Sequence, residues 1–167
     1  AASDVYKRQV QVDECNGLPR SIIVGNVSPS VREGLERAII ALKNNGFDLP
    51  PKKITINIQP ADVRKNGTSF DFAILAGMFI ATNVKENPYQ NYAFLGELGL
   101  DGEIKHIPGV LPMTLAMEEA GIEGVFVGKE DEKEALHCKK LKIIALSCVR
   151  EWIKILYPFL IKKPSLN

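Results

Sequence analysis

The run from Phe70 to Val84 constrains this chain more than any other feature. It is rich in Ala, Ile, Leu and Phe and carries one charge, Asp71. That composition predicts a helix from Phe70 to about Asn83, apolar nearly all round. Only a central, buried helix can have such a surface. The run falls short of the roughly 20 residues that span a bilayer, so its surroundings must be protein.

Alternation and turn chemistry supply those surroundings. Val10-Gln11-Val12 and Ser21 to Gly25 read as strands on either side of an Asn16-Gly17-Leu18-Pro19 turn. Ser28 followed by Pro29 starts a helix, because serine caps and proline's fixed φ suits the first turn. Ser30 with Glu33 offers a capping box there. Val31, Leu35, Ala38, Ile39 and Leu42 give that helix one apolar face, and Asn45-Gly46 ends it. After Pro50-Pro51, Lys53 to Ile58 alternates as a strand buried on one face does.

Beyond the central helix the pattern predicts a strand at Tyr92 to Leu95, a turn at Asp101-Gly102 and a short strand near Ile104. A helix follows from about Pro108 to Ala120, closed by Gly121. A strand at Gly124 to Val127, a short helix at Glu130 to Leu136 and a strand at Lys142 to Ala145 come next. A last helix, Val149 to Leu156, turns Trp152, Ile153 and Leu156 inward. Strands and helices alternate without a Rossmann glycine fingerprint. The fold class expected is therefore α/β, an α+β sandwich rather than a nucleotide-binding doubly wound sheet.

Composition narrows the function classes only a little. With 167 residues, 46% hydrophobic and 25% charged, one domain can bury roughly 70% of its unfolded surface without metal or disulfide. The net charge of +1 argues neither for nor against nucleic acid, whose dedicated binders carry a basic excess. Lys52-Lys53, Arg64-Lys65 and Lys139-Lys140-Leu141-Lys142 read as solvated edges. Cys15, Cys138 and Cys148 have no metal-ligand spacing, and His106 and His137 are the only histidines, so no zinc site is expected. Free thiols suit a reducing cytoplasm, and no secretory leader is visible. Residues 1–9 match nothing that follows and read as a non-native or disordered leader. Residues 10–157 would form the domain, and residues 158–167, with Lys162-Lys163-Pro164-Ser165, a linker toward a further domain.

Many short motifs recur in one order. They include Asn16-Gly17-Leu18-Pro19, Ile23-Val24-Gly25, Val31-Arg32-Glu33, Arg37, Gly46-Phe47, Ile54-Thr55-Ile56-Asn57 and Pro60-Ala61-Asp62 with Arg64-Lys65. Ser69-Phe70-Asp71, Phe94-Leu95-Gly96-Glu97-Leu98, Asp101-Gly102 and Gly109-Val110-Leu111-Pro112-Met113 continue the series. In this order they resemble the amino-terminal domain of the magnesium-chelatase-like bacterial ATPases, the ComM/YifB family, over about Val10 to Leu156. That domain is similar in fold to Lon protease and to the second domain of ribosomal protein S5. Asn26-Val27-Ser28-Pro29 departs from the family, which reads closer to Leu-Pro-Asp there.

The resemblance assigns Ser69 to the nucleophile's position of a serine–lysine protease and Leu111 to the position of its lysine base. A dyad of this kind works when a neutral amine takes the serine proton. Leucine cannot accept a proton, and loss of the base costs several orders of magnitude in rate. Lys105 and His106 precede the Pro108-Gly109 turn and should point elsewhere. Ser69 is therefore expected to be a vestigial nucleophile, its hydroxyl capping the central helix. Asp71 is expected to meet the dipole of that helix. Gly124-Val125-Phe126-Val127-Gly128-Lys129-Glu130 is one residue too short for a phosphate loop and has Glu130 where Ser or Thr would hold magnesium. No Walker A motif occurs in the chain.

The resemblance implies a non-catalytic accessory domain of a hexameric AAA+ ATPase acting on DNA, as in branch migration during DNA uptake. ATP and magnesium would then belong to the motor, with no cofactor or metal in this chain. Its partners would be its own AAA+ domain, further copies in a homo-hexamer, and DNA through the full-length protein, with no membrane. A serine hydrolase using Ser69 with an unorthodox base is the competing reading, and a stand-alone interaction module is a third.

Overall fold

The computed structural model describes residues 9–59 and 67–162. Among the described residues, two three-stranded sheets and a two-stranded hairpin are organised around one helix. The first sheet holds β1 (Gln9–Cys15), β3 (Lys53–Gln59) and β2 (Arg20–Val24) in that spatial order. β1 runs antiparallel to β3, with Val12 opposite Ile56, and β2 runs parallel to it, with Ile23 opposite Ile56. The parallel pair is joined by helix α1 (Pro29–Asn44), as a parallel connection requires. The predicted alternation of β3 is realised: Ile54, Ile56 and Ile58 are fully buried.

Helix α2 (Asp71–Asn83) is the expected central helix. Phe72, Ile74, Leu75, Met78 and Phe79 are fully buried on it. It packs on α1 and on β1, and Gly77 makes the second contact possible. A β-carbon there would stand 2.9 Å from Cγ2 of Val12, too close for any side chain.

The second sheet is wholly parallel, β4 (Tyr92–Phe94), β7 (Gly124–Gly128) and β8 (Lys142–Leu146), with β7 in the middle. Between β4 and β7 the chain forms a hairpin, β5 (Glu97–Leu98) with β6 (Ile104–Lys105), and helix α3 (Val110–Glu119). A 3-10 turn (Lys129–Asp131) and α4 (Glu132–Ala135) link β7 to β8, and α5 (Val149–Leu156) follows. Trp152, Ile153 and Leu156 are buried as expected. Trp152 meets Phe72, Phe79 and Phe94 at centroid distances of 5.8, 5.5 and 5.4 Å, tying α2 to the second sheet. Edge-on pairs of this kind contribute about 0.5–1.5 kcal/mol each beyond area burial. Among the described residues no helix is long and apolar enough to cross a membrane.

Several expectations are corrected. Ser30 and Glu33 form no capping box. Ser28 is the N-cap residue of α1, but its hydroxyl meets the Ser30 hydroxyl at 2.7 Å and makes no cap hydrogen bond. Its carbonyl accepts the Val31 and Arg32 N–H groups instead, and the Ser30 hydroxyl accepts the Gly67 N–H at 3.0 Å. Ser69 does not cap α2: the N-cap residue is Phe70, without a side-chain cap bond, and Asp71 N–H donates to the Thr68 carbonyl. The expected linker does not begin at Pro158. Tyr157–Phe159 forms a 3-10 turn, Leu160 pairs with Val84 and is buried, and Ile161 N–H donates to the Asn83 carbonyl at 2.8 Å. An apolar anchor two residues past a proline outweighs the loop composition around it. Of the expected leader 1–9, Gln9 is instead the first residue of β1; its residues 1–8, Pro60 to Asn66 with Arg64-Lys65, and residues 163–167 lie outside the described residues.

Candidate functional site

Asp71 is the anomaly of the apolar run, and it organises the site. Its side chain is 1% exposed, and a carboxylate so placed needs partners. Arg37, on α1, supplies two hydrogen bonds to it, Nε to Oδ2 at 2.7 Å and Nη2 to Oδ1 at 3.0 Å. The Leu98 N–H of β5 donates to Oδ2 at 3.1 Å. Burial pushes the Asp71 carboxyl up, and the Arg37 and Leu98 donors oppose it. The same carboxylate holds the Arg37 guanidinium above its ordinary value. Asp71 stands in the first turn of α2, where the dipole expectation places it, and it is held in addition by a cation on another helix.

Directly before it, Thr68 donates its hydroxyl to Glu97 at 3.1 Å. Phe72 N–H donates to the Gly96 carbonyl at 3.1 Å. Gly96 is required there, since a β-carbon would lie 2.6 Å from Cγ2 of Ile104. The loop carrying Ser69 is therefore fastened to the β4–β5 connection. Ser69 is half-buried on the rim of a groove of about 680 Å³, lined by Val10, Val12, Ile80, Tyr92, Met113 and Met117 among others. Among the described residues no lysine or histidine hydrogen-bonds its hydroxyl. Leu111 lies half-buried in the first turn of α3. It is Met113, two residues on, that reaches the groove wall.

The sequence that builds this helix–loop–hairpin arrangement around Ser69 matches a known family. The family model described as subunit ChlI of Mg-chelatase covers residues 10–131. The chain belongs to the ChlI family. This ChlI-family domain is 33% identical over 127 residues to the competence protein ComM of Haemophilus influenzae, a match covering 75% of this chain and 25% of that protein. It is 33% identical over 126 residues to the YifB protein of Escherichia coli, again covering 75% of this chain and 25% of the relative. Lon protease 2 of Bacillus subtilis is 27% identical over 156 residues, covering 89% of this chain and 27% of that protein. The chain thus spans about a quarter of the length of these curated relatives. The expected ComM/YifB and Lon-like relationships and the mixed α/β class all stand.

Gly124 to Gly128, the stretch that approaches a phosphate loop, is the fully buried middle strand β7. Its backbone is engaged by β4 on one side and β8 on the other, which leaves no cradle of free N–H groups. Among the described residues no group of three or more His, Cys, Asp or Glu is placed to hold a metal.

The other candidates fall elsewhere. His106 turns to Asp131, with Nδ1 and Oδ1 2.5 Å apart. Cys15 is exposed, Cys148 is intermediate, and Cys138 is buried with its thiol donating to Glu118 at 2.8 Å. Arg37, Glu97 and Asp131 are site residues that the sequence reading does not mark as such. For Arg37 a signal existed: one carboxylate in an apolar helix demands a cation from outside that helix. The sequence has no comparable mark for Glu97 or Asp131.

Proposed function

We propose that this ChlI-family domain is a non-catalytic accessory domain of a larger ATP-driven, AAA+ motor that acts on DNA. The observation that carries the reading is the pairing of Ser69 with no base. Its hydroxyl stands at the groove without a lysine or histidine among the described residues, and the position that the Lon resemblance gives to the base is aliphatic Leu111. In such a protein ATP and magnesium bind in the motor, and the motor assembles as a cytoplasmic homo-hexamer. This domain guides substrate or regulates assembly. The relationship to a competence protein supports DNA as the motor's substrate.

Two measurements test it. Sequencing the native gene beyond Asn167 should reveal an in-frame G-x-x-x-x-G-K-[ST]. Deleting residues 10–161 from the full-length protein should leave ATP hydrolysis intact and change its response to DNA. A truncated motor with an unaltered DNA response would overturn the accessory role.

The position of Ser69 on a groove favours a second reading, a serine hydrolase with an unorthodox base. Fluorophosphonate labelling of the wild type but not of Ser69→Ala would establish it, and absence of labelling would remove it.

A further inference from the structure

Asp131 is a second buried carboxylate, away from Ser69, and both of its oxygens serve one loop. Oδ1 meets Nδ1 of His106 at 2.5 Å, and Oδ2 accepts the Ile107 N–H at 3.1 Å. The Asp131 side chain is 2% exposed and that of His106 57%. A buried acceptor thus holds an imidazole whose other edge is open to water. The loop so held, Ile107 to Gly109, opens directly into α3. Gly109 enters it at φ 76°, a left-handed conformation suited to glycine, and no side chain caps the helix. Asp131 is thus the polar tether of α3's first turn, beside the buried side chains of Ile107 and Val110. α3 carries Met113 and Met117, which line the groove bordered by Ser69.

We propose that His106 and Asp131 form a proton-operated latch that holds the start of α3, and with it the Met113–Met117 wall of the groove. Protonated, the imidazolium gives the sheltered carboxylate a charge-assisted hydrogen bond. Neutral, it keeps one ordinary hydrogen bond and the latch loosens. Asp131 itself, then Glu130 and Glu134, hold the imidazole's proton above the ordinary histidine range. The other charged groups on the packed elements are Lys105 on β6, Lys129 in the 3-10 turn, Glu132 and Lys133 on α4, and Lys142 on β8. Cations and anions are interspersed there, so Asp131 is the partner that distinguishes the two states.

The experiment is amide exchange and methionine-methyl NMR on the 167-residue chain across the titration of His106. Protection of the Ile107 amide, corrected for its intrinsic rate, should fall several-fold as His106 loses its proton. The Met113 methyl resonance should follow the same curve. Both responses should be flat in His106→Gln, whose half-exposed site tolerates the change, and in Asp131→Asn where that variant folds. A wild-type response that is flat, or identical in His106→Gln, overturns the latch. An Ile107 response with an unmoved Met113 methyl overturns its reach to the groove.

Discussion

Arg37 grips Asp71 across the α1–α2 interface through two hydrogen bonds of 2.7 and 3.0 Å. The pair is buried at the carboxylate end and one-fifth exposed at the guanidinium. Removing one partner strands the other charge, at a cost of about 3–5 kcal/mol. Arg37→Ala should therefore lose stability of that order in urea unfolding. Replacing both residues together with apolar ones should cost less than the single change.

Gly34, on the same face of α1, leaves room for that carboxylate. A β-carbon there would lie 2.5 Å from Oδ1 of Asp71. Gly→Ala in an open helix gains up to about 1 kcal/mol. Gly34→Ala should instead lose about 1–3 kcal/mol, the usual cost of overpacking. Thermal melting decides the sign.

Leu111→Lys tests the site from another side. Leu111 is half-buried, so a lysine there can run its stem along the surface and keep its amine in water. Near the N-terminus of α3 the added cation is disfavoured by about 0.3–1 kcal/mol. The urea midpoint should shift by no more than that implies, and a loss of several kcal/mol would place Leu111 in the core.

The His106 proton should also be visible in global stability. Its folded-state affinity is raised above the ordinary value, so its contribution is fully present below the unfolded histidine pKa. It is lost as pH rises through the folded one. The melting difference between wild type and His106→Gln should be largest in mild acid and vanish in mild alkali. A difference that grows with pH would contradict the pairing with Asp131.

The thiols should separate by environment. Burial first, and then the Glu118 carboxylate, push the Cys138 thiol up, while Cys15 is exposed. Reaction requires the thiolate. An aromatic disulfide reagent at neutral pH should modify Cys15 rapidly and Cys138 only after unfolding.

Much of this was legible because it is local. The alternation of Ile54, Ile56 and Ile58, the apolar run after Asp71 and the Trp152–Ile153–Leu156 face each announce their burial within a few residues. The site was less legible because its bonds are long-range. Nothing near Arg37 in sequence says that it will meet Asp71, and Ser69 gave the chemistry of a cap without its geometry. Backbone carbonyls of Thr68 and Gly96 took that place, which only the folded loop determines. His106 and Asp131 lie on either side of α3 in the chain and meet through the packing of β6 on the 3-10 turn. The tail misled for the opposite reason: its lysines and prolines are conspicuous, whereas one leucine fastens it.

That fastening has a mechanical meaning. Leu160 pairs with Val84, Ile161 N–H donates to the Asn83 carbonyl, and Lys85 N–H donates to the Phe159 carbonyl. Tension on the chain beyond Ile161 is therefore carried first into the tip of α2, the helix both sheets lean on, and only afterwards into α5. The domain resists traction from that side as a clamped rod does, with load delivered to its spine rather than peeled away from its last helix.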